Sequence, residues 1–482
     1  MNTPKSENPF FLVLLTVLFL SLLAFVQQHY TLPGLDLKPV NLLADVVVTD
    51  APLPFTLPVT QSVIPRSATK ATDTTQLATT AAADSTVSVS LALDTLRIEN
   101  LGSLYAFYQA LYDTKATGKK TRIAYFGDSM IEGDLITGEL RNKLQYEFGG
   151  EGVGFVPITS ITADFRNTIL HSFSPNWKSY NLVSKKIPTD NPLGISGHVF
   201  LPNVLKPNLP DSVEKPVPSW VQYAASKMYK KLSSFRKIRL FYGPGSEKDK
   251  LVVVADKKQV IQPLSGSNRV NELLLPTEGP AKKLKLEFDC FDRRNVYGLS
   301  FESDSGVIVD NFSFRGNSGM SLSKIKKNVL QDFEQYQHYN LIILHYGINV
   351  ANYKVKDYRF YERGMTRVVN QLKQAFPEAS ILLIGMSDKS YNNAGQYITD
   401  PSIPLLLQAQ YNIAQKNDVA FWNLFEAMGG YNSMVSWVEA KPPLANKDYT
   451  HINYNGSRKV AALLYQHLMQ GYQFYQNQQA KL

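Results

Sequence analysis

Short apolar runs alternate with segments of helical spacing along most of the chain after residue 95. Runs of this length, bounded by turn signals such as Gly127-Asp128-Ser129, are typical of buried strands. Strands that alternate with helices form a parallel sheet with helices on both of its faces. The predicted strands are residues 122–126, 307–314, 341–345, 381–386 and 419–424.

The segments between these runs have helical periodicity. Leu140, Leu144 and Phe148 recur every four residues and would share one face of a helix. The predicted helices are residues 104–111, 133–148, 322–336, 358–376, 405–414 and 457–469. The sequence therefore predicts an α/β domain with a five-stranded parallel sheet.

Residues 165–304 interrupt the alternation with Pro-rich turns and short strand-like runs. In residues 283–290 apolar and polar side chains alternate, as in an antiparallel strand with one exposed face. We therefore predict a β-rich, sandwich-like domain inserted after the first strand of the α/β domain. The α/β domain would then comprise residues 96–164 and 305–475.

The N-terminal residues contain an apolar run at 10–26, interrupted only by Thr16 and Ser21. As a helix this run would be about 25 Å long, near the short limit for crossing a bilayer. No good small-x-small cleavage site follows it. We predict an uncleaved signal anchor over residues 1–30, with a cleaved signal peptide as the alternative. Either one would place the remaining chain in the periplasm or outside the cell, with the anchor in the cell membrane.

Residues 31–95 have the composition of a linker. In residues 67–86, 15 of 20 residues are Ser, Thr or Ala. Such a segment buries too little apolar surface to offset the conformational entropy that it would lose on folding. We predict a flexible tether between the anchor and the folded domains.

Charge and cysteine content exclude several classes of protein. A single cysteine, Cys290, excludes an intramolecular disulfide framework and a cysteine-built metal site. Residues 215–294 hold 17 Lys/Arg against 8 Asp/Glu, an excess equal to the net charge of +9 for the whole chain. Because the excess is local, the chain is not typical of a nucleic-acid binder. The basic segment could bind an acidic glycan, or it could be a solvated surface.

Candidate catalytic groups follow the first, third and fifth predicted strands. Those after the fifth strand lie just before the last helix. The groups are Ser129 in Gly127-Asp128-Ser129, Asn349 in Gly347-Ile348-Asn349, and the Asp448 and His451 of Asp-x-x-His. Open parallel sheets place their sites at the carboxyl ends of strands, so these groups should meet. A serine nucleophile needs a histidine to take its proton and a carboxylate to orient that histidine.

The developing oxyanion in such a reaction needs N–H donors. Asn349 could supply a side-chain donor, and the backbones of Ser129 and Gly316 could supply others. Asp128 is expected to cap its own turn.

These blocks together resemble the SGNH hydrolases, also called the GDSL esterase/lipase family. The resemblance covers roughly residues 100–165 and 305–472. It rests on residues 124–134, the glycine in 314–319, Gly347-Ile-Asn349 and Asp448-x-x-His451. The family resemblance implies a three-layer α/β/α, flavodoxin-like fold. With a β-domain inserted after the first block, the chain looks like the subgroup of the peptidoglycan and polysaccharide O-acetylesterases.

The resemblance also implies roles for single residues. Ser129 would be the nucleophile, His451 the base and Asp448 its partner, while the N–H groups of Ser129 and Gly316 and the Asn349 amide would form the oxyanion hole. Gly319 is an alternative to Gly316. The chain departs from the family pattern in two places: Met130 stands where leucine is usual, and Val350 where many members have aspartate.

Other polar residues have simpler interpretations. Ser318 is a rival nucleophile that lacks the Gly-Asp turn. His345 is expected to be a core residue, and we assign no role to His171 or His198. The chain has no His-Glu-x-x-His and no glycine loop that opens a helix, so we predict neither a metal nor a cofactor.

The sequence leaves three functions open. The leading hypothesis is a serine esterase that removes O-acetyl groups from a cell-envelope or exported polysaccharide. The same triad could instead transfer acetyl groups to a glycan, working with a membrane acetyl-transfer partner protein. The third hypothesis is a tethered glycan-binding protein with a vestigial site.

Overall fold

The computed structural model describes residues 98–205 and 216–481. The predicted signal anchor and linker lie outside the described residues. Within the described residues, none of the helices combines the length and the apolar character that crossing a membrane requires.

The predicted parallel sheet is present and has one additional strand. Numbered along the chain, its five parallel strands lie in the order 2-1-3-4-5, which is the flavodoxin-like order. The additional strand, Ile98–Glu99, pairs antiparallel with the fifth and forms an edge of the sheet. In chain order the parallel strands are Lys120–Gly127, Gly306–Ser313, Leu341–His345, Ser380–Gly385 and Ala420–Asn423.

Helices cover both faces of this sheet, because alternate residues of each strand enter different cores. Ile342 and Leu344 pack in one core with the helices of residues 327–416, whereas Leu341 and Ile343 pack in the other with the first two helices and the last. The fold is therefore a three-layer α/β/α arrangement. The α-helices are Tyr105–Thr117, Thr137–Phe148, Lys327–Gln337, Arg359–Ala375, Ile403–Lys416, Leu424–Met428, Ser433–Glu439 and Tyr454–Gln479.

Two predicted helices begin later than expected. The helix predicted from residue 133 begins at Thr137, because Glu132 and Gly133 have non-helical dihedral angles and the preceding residues form the 3₁₀ helix Ser129–Asp134. The helix predicted from residue 322 begins at Lys327, after the 3₁₀ helix Met320–Lys324. A two-stranded hairpin, Ser390–Asn393 with Gln396–Thr399, was not predicted at all.

Antiparallel strands recur through the described part of residues 165–304 and form two further sheets. Apolar side chains of both sheets share one core, which includes Leu286 from the first and Leu240 from the second. The first sheet has the order Lys258–Leu264, Ser246–Ala255, Lys283–Asp289, Ser219–Ala225, Ile169–Phe173. The second has the order Asn271–Leu274, Lys237–Tyr242, Val296–Glu302, His198–Leu201, Lys178–Asn181, and Gly154–Val156 also pairs with its strand Val296–Glu302.

Buried ion pairs join the second of these sheets to the parallel sheet. Arg122, on the first parallel strand, donates hydrogen bonds to Asp310 at 2.8 and 3.0 Å and also contacts Glu302. Arg239 donates to the same Glu302 carboxylate at 3.1 Å. Because these side chains are almost fully buried, removing one partner would leave an uncompensated charge.

Candidate active site

Ser129 lies at the carboxyl end of the first parallel strand, Lys120–Gly127. The intervening Asp128 accepts a hydrogen bond from the Met130 backbone N–H at 3.0 Å, which closes the turn as the sequence predicts. Ser129 then begins a 3₁₀ helix and is partly exposed. The turn thus presents the hydroxyl at the surface of the domain, where a substrate could reach it.

His451 joins Ser129 to Asp448 by two hydrogen bonds. Ser129 Oγ lies 3.2 Å from His451 Nε2, and His451 Nδ1 lies 2.7 Å from Asp448 Oδ2. The carboxylate would hold the imidazole with its proton on Nδ1, leaving Nε2 free to accept the serine proton. The structure therefore brings together the three residues for which the sequence predicts a catalytic triad.

The Asp448 loop is shaped by its own carboxylate. Asp448 Oδ1 accepts hydrogen bonds from the backbone N–H groups of Thr450 and His451, each at 3.0 Å. Burial alone would raise the pKa of Asp448, but these bonds and the His451 side chain outweigh it and hold the pKa below its usual value. Asp448 is therefore ionised at neutral pH, as a group that stabilises an imidazolium must be.

This site is open to solvent. The side chains of His451 and Asp448 are 40% and 47% exposed, and Asn349 and Gly316 are also exposed. A site this shallow can accept an acyl group on a bulky carrier, because the carrier need not enter the protein.

The loops that carry the expected oxyanion donors contact the Ser129 turn. Gly316 follows the second parallel strand and has φ +74°, a backbone conformation that favours glycine. Within residues 98–205 and 216–481, the backbone N–H groups of Ser129 and Gly316 donate to no protein acceptor. The Asn349 amide donates to the Asn317 carbonyl at 3.2 Å, beside Gly316. It also contacts Asp128, where burial raises the pKa of the carboxyl to about 7 and the Asn349 hydrogen bond opposes that rise. The roles of the Ser129 and Gly316 N–H groups and of the Asn349 amide as oxyanion donors stay predictions.

Gly319, the alternative donor, has a different position. Its N–H donates to Asn317 Oδ1 at 2.9 Å, and a Cβ at this residue would lie 2.8 Å from atoms of Met365 and Tyr346. Gly319 is thus a packing position whose N–H is already bonded, which favours Gly316. The rival Ser318 has no hydrogen bond to a histidine among the described residues.

Two charged residues beside the site were missed by the sequence reasoning. Arg315, next to Gly316, forms a bidentate ion pair with Glu132, which follows Ser129 by three residues. Both residues lie inside motif blocks and carry opposite charges, which was the available signal. Because the two blocks are far apart in sequence, the sequence alone did not indicate that they pair.

His345, His171 and His198 make hydrogen bonds to groups outside the triad. His345 is buried and contacts the Tyr125 hydroxyl through Nδ1 at 3.1 Å, and burial lowers the pKa of the His345 imidazole to about 4. Burial also lowers the pKa of His171 and of His198 to about 4. In the described part of the chain, no three His, Cys, Asp or Glu residues are grouped so that they could hold a metal ion.

The fold resembles those of solved esterases. A peptidoglycan O-acetylesterase structure matches 79% of this chain and 99% of its own, with 22% sequence identity and a TM-score of 0.62. A family two carbohydrate esterase from Cellvibrio japonicus matches 63% of this chain and 99% of its own, with 10% identity and a TM-score of 0.26. An acetyl xylan esterase matches 33% of this chain and 80% of its own, with 16% identity and a TM-score of 0.26. No protein-family model matches the chain, and no curated protein matches it.

Only the first of these matches is close enough in three dimensions to support a comparison of folds. It extends over nearly the whole of the peptidoglycan O-acetylesterase, so the likeness includes more than the parallel sheet alone. The resemblance expected from the motifs is confirmed at the level of the fold, which the chain shares with a peptidoglycan O-acetylesterase.

Proposed function

We propose that this protein is a serine esterase that removes O-acetyl groups from a cell-envelope or exported polysaccharide. The observation that carries the proposal is the hydrogen-bonded series Ser129–His451–Asp448 at the carboxyl ends of the parallel strands. The fold shared with a peptidoglycan O-acetylesterase supports an acetylated glycan as the substrate.

The geometry accounts for acylation of the serine. His451 Nε2 takes the Ser129 proton while Oγ attacks the acetyl carbonyl carbon, and the carbonyl oxygen becomes an anion. The N–H groups of Ser129 and Gly316 and the Asn349 amide would stabilise that anion. The C–O bond to the sugar then breaks, the imidazolium returns its proton to the sugar oxygen, and an acetyl-serine remains.

Deacylation repeats these steps with water. His451 takes a proton from the attacking water and returns it to Ser129 Oγ as the C–Oγ bond of the tetrahedral intermediate breaks, which releases acetic acid and restores Ser129. The exposed position of the triad allows water to reach the acetyl-serine as soon as the deacetylated sugar departs.

An acetyltransferase remains the second candidate, because a sugar hydroxyl could replace water at the same exposed acetyl-serine. Turnover of p-nitrophenyl acetate, with and without an oligosaccharide acceptor, separates the two. The esterase predicts acetate as the product in both reactions. Formation of acetylated oligosaccharide in place of free acetate would instead establish transfer. In the cell such a transferase would need an acetyl donor, such as a membrane partner protein.

The central test is acetate release from O-acetylated polysaccharides by the full chain. We expect release by wild type and none by Ser129→Ala. Turnover of p-nitrophenyl acetate with no release from any O-acetylated polysaccharide would contradict the proposed substrate class.

We further propose that the esterase acts outside the cytoplasm, held at the membrane by residues 10–26. The support is the apolar run and the Ser/Thr/Ala-rich segment after it. Protease added to intact cells or spheroplasts should degrade the catalytic domain. Protection of that domain until the membrane is lysed would contradict an outward orientation.

A further inference from the structure

The hairpin Ser390–Asn393 with Gln396–Thr399 contacts both loops that carry the site. The Ser390 N–H donates at 2.9 Å to the carbonyl oxygen of Tyr449, which stands between Asp448 and His451. The Lys389 ammonium, at the base of the hairpin, donates at 3.3 Å to the carbonyl of Ala351, two residues after Asn349. The hairpin therefore borders the triad on one side and the Asn349 loop on the other.

Four tyrosines form two stacked pairs along this border. Tyr397 of the hairpin lies on Tyr449, with ring centroids 3.7 Å apart and planes 5° apart. Tyr391 of the hairpin lies on Tyr353 of the Asn349 loop, with centroids 5.5 Å apart and planes 12° apart. In each pair one ring is well exposed: Tyr397 is 37% exposed and Tyr353 is 46% exposed.

The backing ring fixes the orientation of each exposed ring. Free aromatic pairs prefer offset or edge-to-face contacts, so the nearly direct stack of Tyr397 on Tyr449 is imposed by the backbones that carry them. Tyr449 itself has φ +53°, and its N–H is held by the Asn446 carbonyl at 3.1 Å. A ring that is already oriented loses little conformational entropy when a ligand packs on it.

We propose that Tyr353 and Tyr397 form an aromatic subsite that binds sugar rings of the glycan next to the acetylated residue. The proposal rests on the proposed function for the identity of the ligand. A pyranose presents a flat face of C–H groups that packs on a tyrosine ring, while its hydroxyls stay in water. Rings in two loops next to an open triad would hold the polymer near Ser129, which a shallow site cannot do by enclosing the acetyl group alone.

Scattered single tyrosines on a surface would need no explanation. Here both exposed rings belong to stacked pairs, and both pairs join the hairpin to a loop of the site. The arrangement thus sets the subsite apart from ordinary exposed residues such as Tyr146, near the end of the helix Thr137–Phe148.

The test is direct binding of soluble glycans that carry no O-acetyl group. The probes are the β-1,4-linked N-acetylglucosamine hexamer and xylohexaose, titrated calorimetrically into the full chain. We expect Tyr353→Ala and Tyr397→Ala each to raise the Kd for at least one probe about three- to tenfold. Tyr397→Phe, which keeps the ring, and Tyr146→Ala should stay within about twofold of wild type.

A second measurement follows acetate release from an O-acetylated form of the probe that binds. We expect the two alanine variants to act through KM, with kcat little changed. Ring-dependent binding without any acetate release would refute the esterase and leave the glycan subsite standing. Acetate release with KM independent of the rings would retain the esterase and refute the subsite. Failure of wild type to bind either hexamer, or equal Kd values in wild type and in folded alanine variants, would also refute the subsite.

Discussion

Arg315 and Glu132 connect the two loops that carry the proposed nucleophile and the proposed oxyanion glycine. Arg315 Nε lies 3.0 Å from both carboxylate oxygens of Glu132, and Nη2 lies 2.8 Å from Oε2. Glu132 is only 5% exposed, whereas the Arg315 side chain reaches it from solvent. The pair therefore fixes the loop of Gly316 against the 3₁₀ helix that begins at Ser129.

We expect Arg315→Ala to lower kcat on p-nitrophenyl acetate about 10- to 100-fold. The reason is positional: a displaced Gly316 N–H would lose part of the stabilisation that one oxyanion donor provides, which is worth up to about 10³ in kcat. Arg315→Lys should restore only part of the activity, because an ammonium cannot form the bidentate contact. The matched control is Arg359→Ala, since Arg359 is an exposed arginine paired with Asp357. A kcat within twofold of wild type in folded Arg315→Ala would contradict this role.

The triad predicts a graded loss of activity. Ser129→Ala and His451→Ala should each reduce kcat by about 10⁶, and Asp448→Ala by about 10⁴, because the histidine still acts as a base without its partner. The double variant of Ser129 and His451 should be no worse than either single variant, since the two act as a unit. All three side chains are at least partly exposed, so thermal unfolding should change little. Near-normal kcat in purified Ser129→Ala would show that the nucleophile lies elsewhere.

Asn349→Ala should behave differently from the triad variants. It removes one donor to the oxyanion, which is worth roughly 10²–10³ in kcat. Ser129 and His451 remain, so a fluorophosphonate probe should still label the serine. Asn352→Ala, at an exposed asparagine three residues further along, is the control. An Asn349→Ala protein with normal thermal stability that fails to label would show that Asn349 supports the nucleophile itself.

Much of this architecture could be predicted because apolar runs and strand-end motifs are local signals. Residues 341–345 are apolar apart from His345, and the observed strand Leu341–His345 has the predicted bounds. The contacts of Ser129, His451 and Asp448 follow from the rule that strand ends share one edge of a sheet. The fold class and the triad thus depended on short segments of sequence, each of which could be interpreted without its neighbours.

The features that were missed depend on contacts between distant segments. The hairpin of residues 390–399 is short, polar and mostly exposed, and its contacts to Tyr449 and Tyr353 give no periodic pattern in sequence. Helical spacing continues through Gly133, but the positive φ of this glycine breaks the helical backbone before the α-helix begins at Thr137. Such breaks are decided by packing around the site rather than by the spacing of apolar residues.

The buried carboxyl of Asp128 predicts a pH-dependent stability. Burial raises the pKa of Asp128 to about 7, against about 3.9 in an unfolded chain. A raised folded-state pKa contributes stability that is complete below the unfolded pKa and is lost as pH rises through the folded pKa. Asp128→Asn should therefore gain stability relative to wild type between about pH 4 and pH 7, by about 2–4 kcal/mol at most.

Urea unfolding at pH 4.5 and pH 8 measures this difference. The exposed carboxylate Asp190 supplies the control variant Asp190→Asn, which should follow wild type at both values. A constant difference between Asp128→Asn and wild type across this range would mean that Asp128 does not titrate there.

The basic segment of residues 215–294 predicts a salt-dependent activity on acidic polymers. Several of its cations are already paired, such as Lys285 with Glu287 and Arg294 with Asp249, which reduces the charge available to a ligand. Lys282 and Lys283 are exposed and form no side-chain ion pair within the described residues. If this segment attracts an acidic glycan, activity on that polymer should fall as salt rises, chiefly through KM, because exposed charges are screened within about 8 Å at physiological ionic strength.

Reversal of Lys282 and Lys283 to glutamate should imitate high salt on the acidic polymer while leaving p-nitrophenyl acetate unaffected, since that ester needs only the triad. The matched control reverses Lys326 and Lys327, an adjacent exposed pair at the start of the helix Lys327–Gln337 in the α/β domain. The measurement is kcat/KM for both substrates at low and high salt, in wild type and in both double variants. An equal salt response for the two substrates, or the same loss in both double variants, would assign the basic segment to a solvated surface with no part in substrate capture.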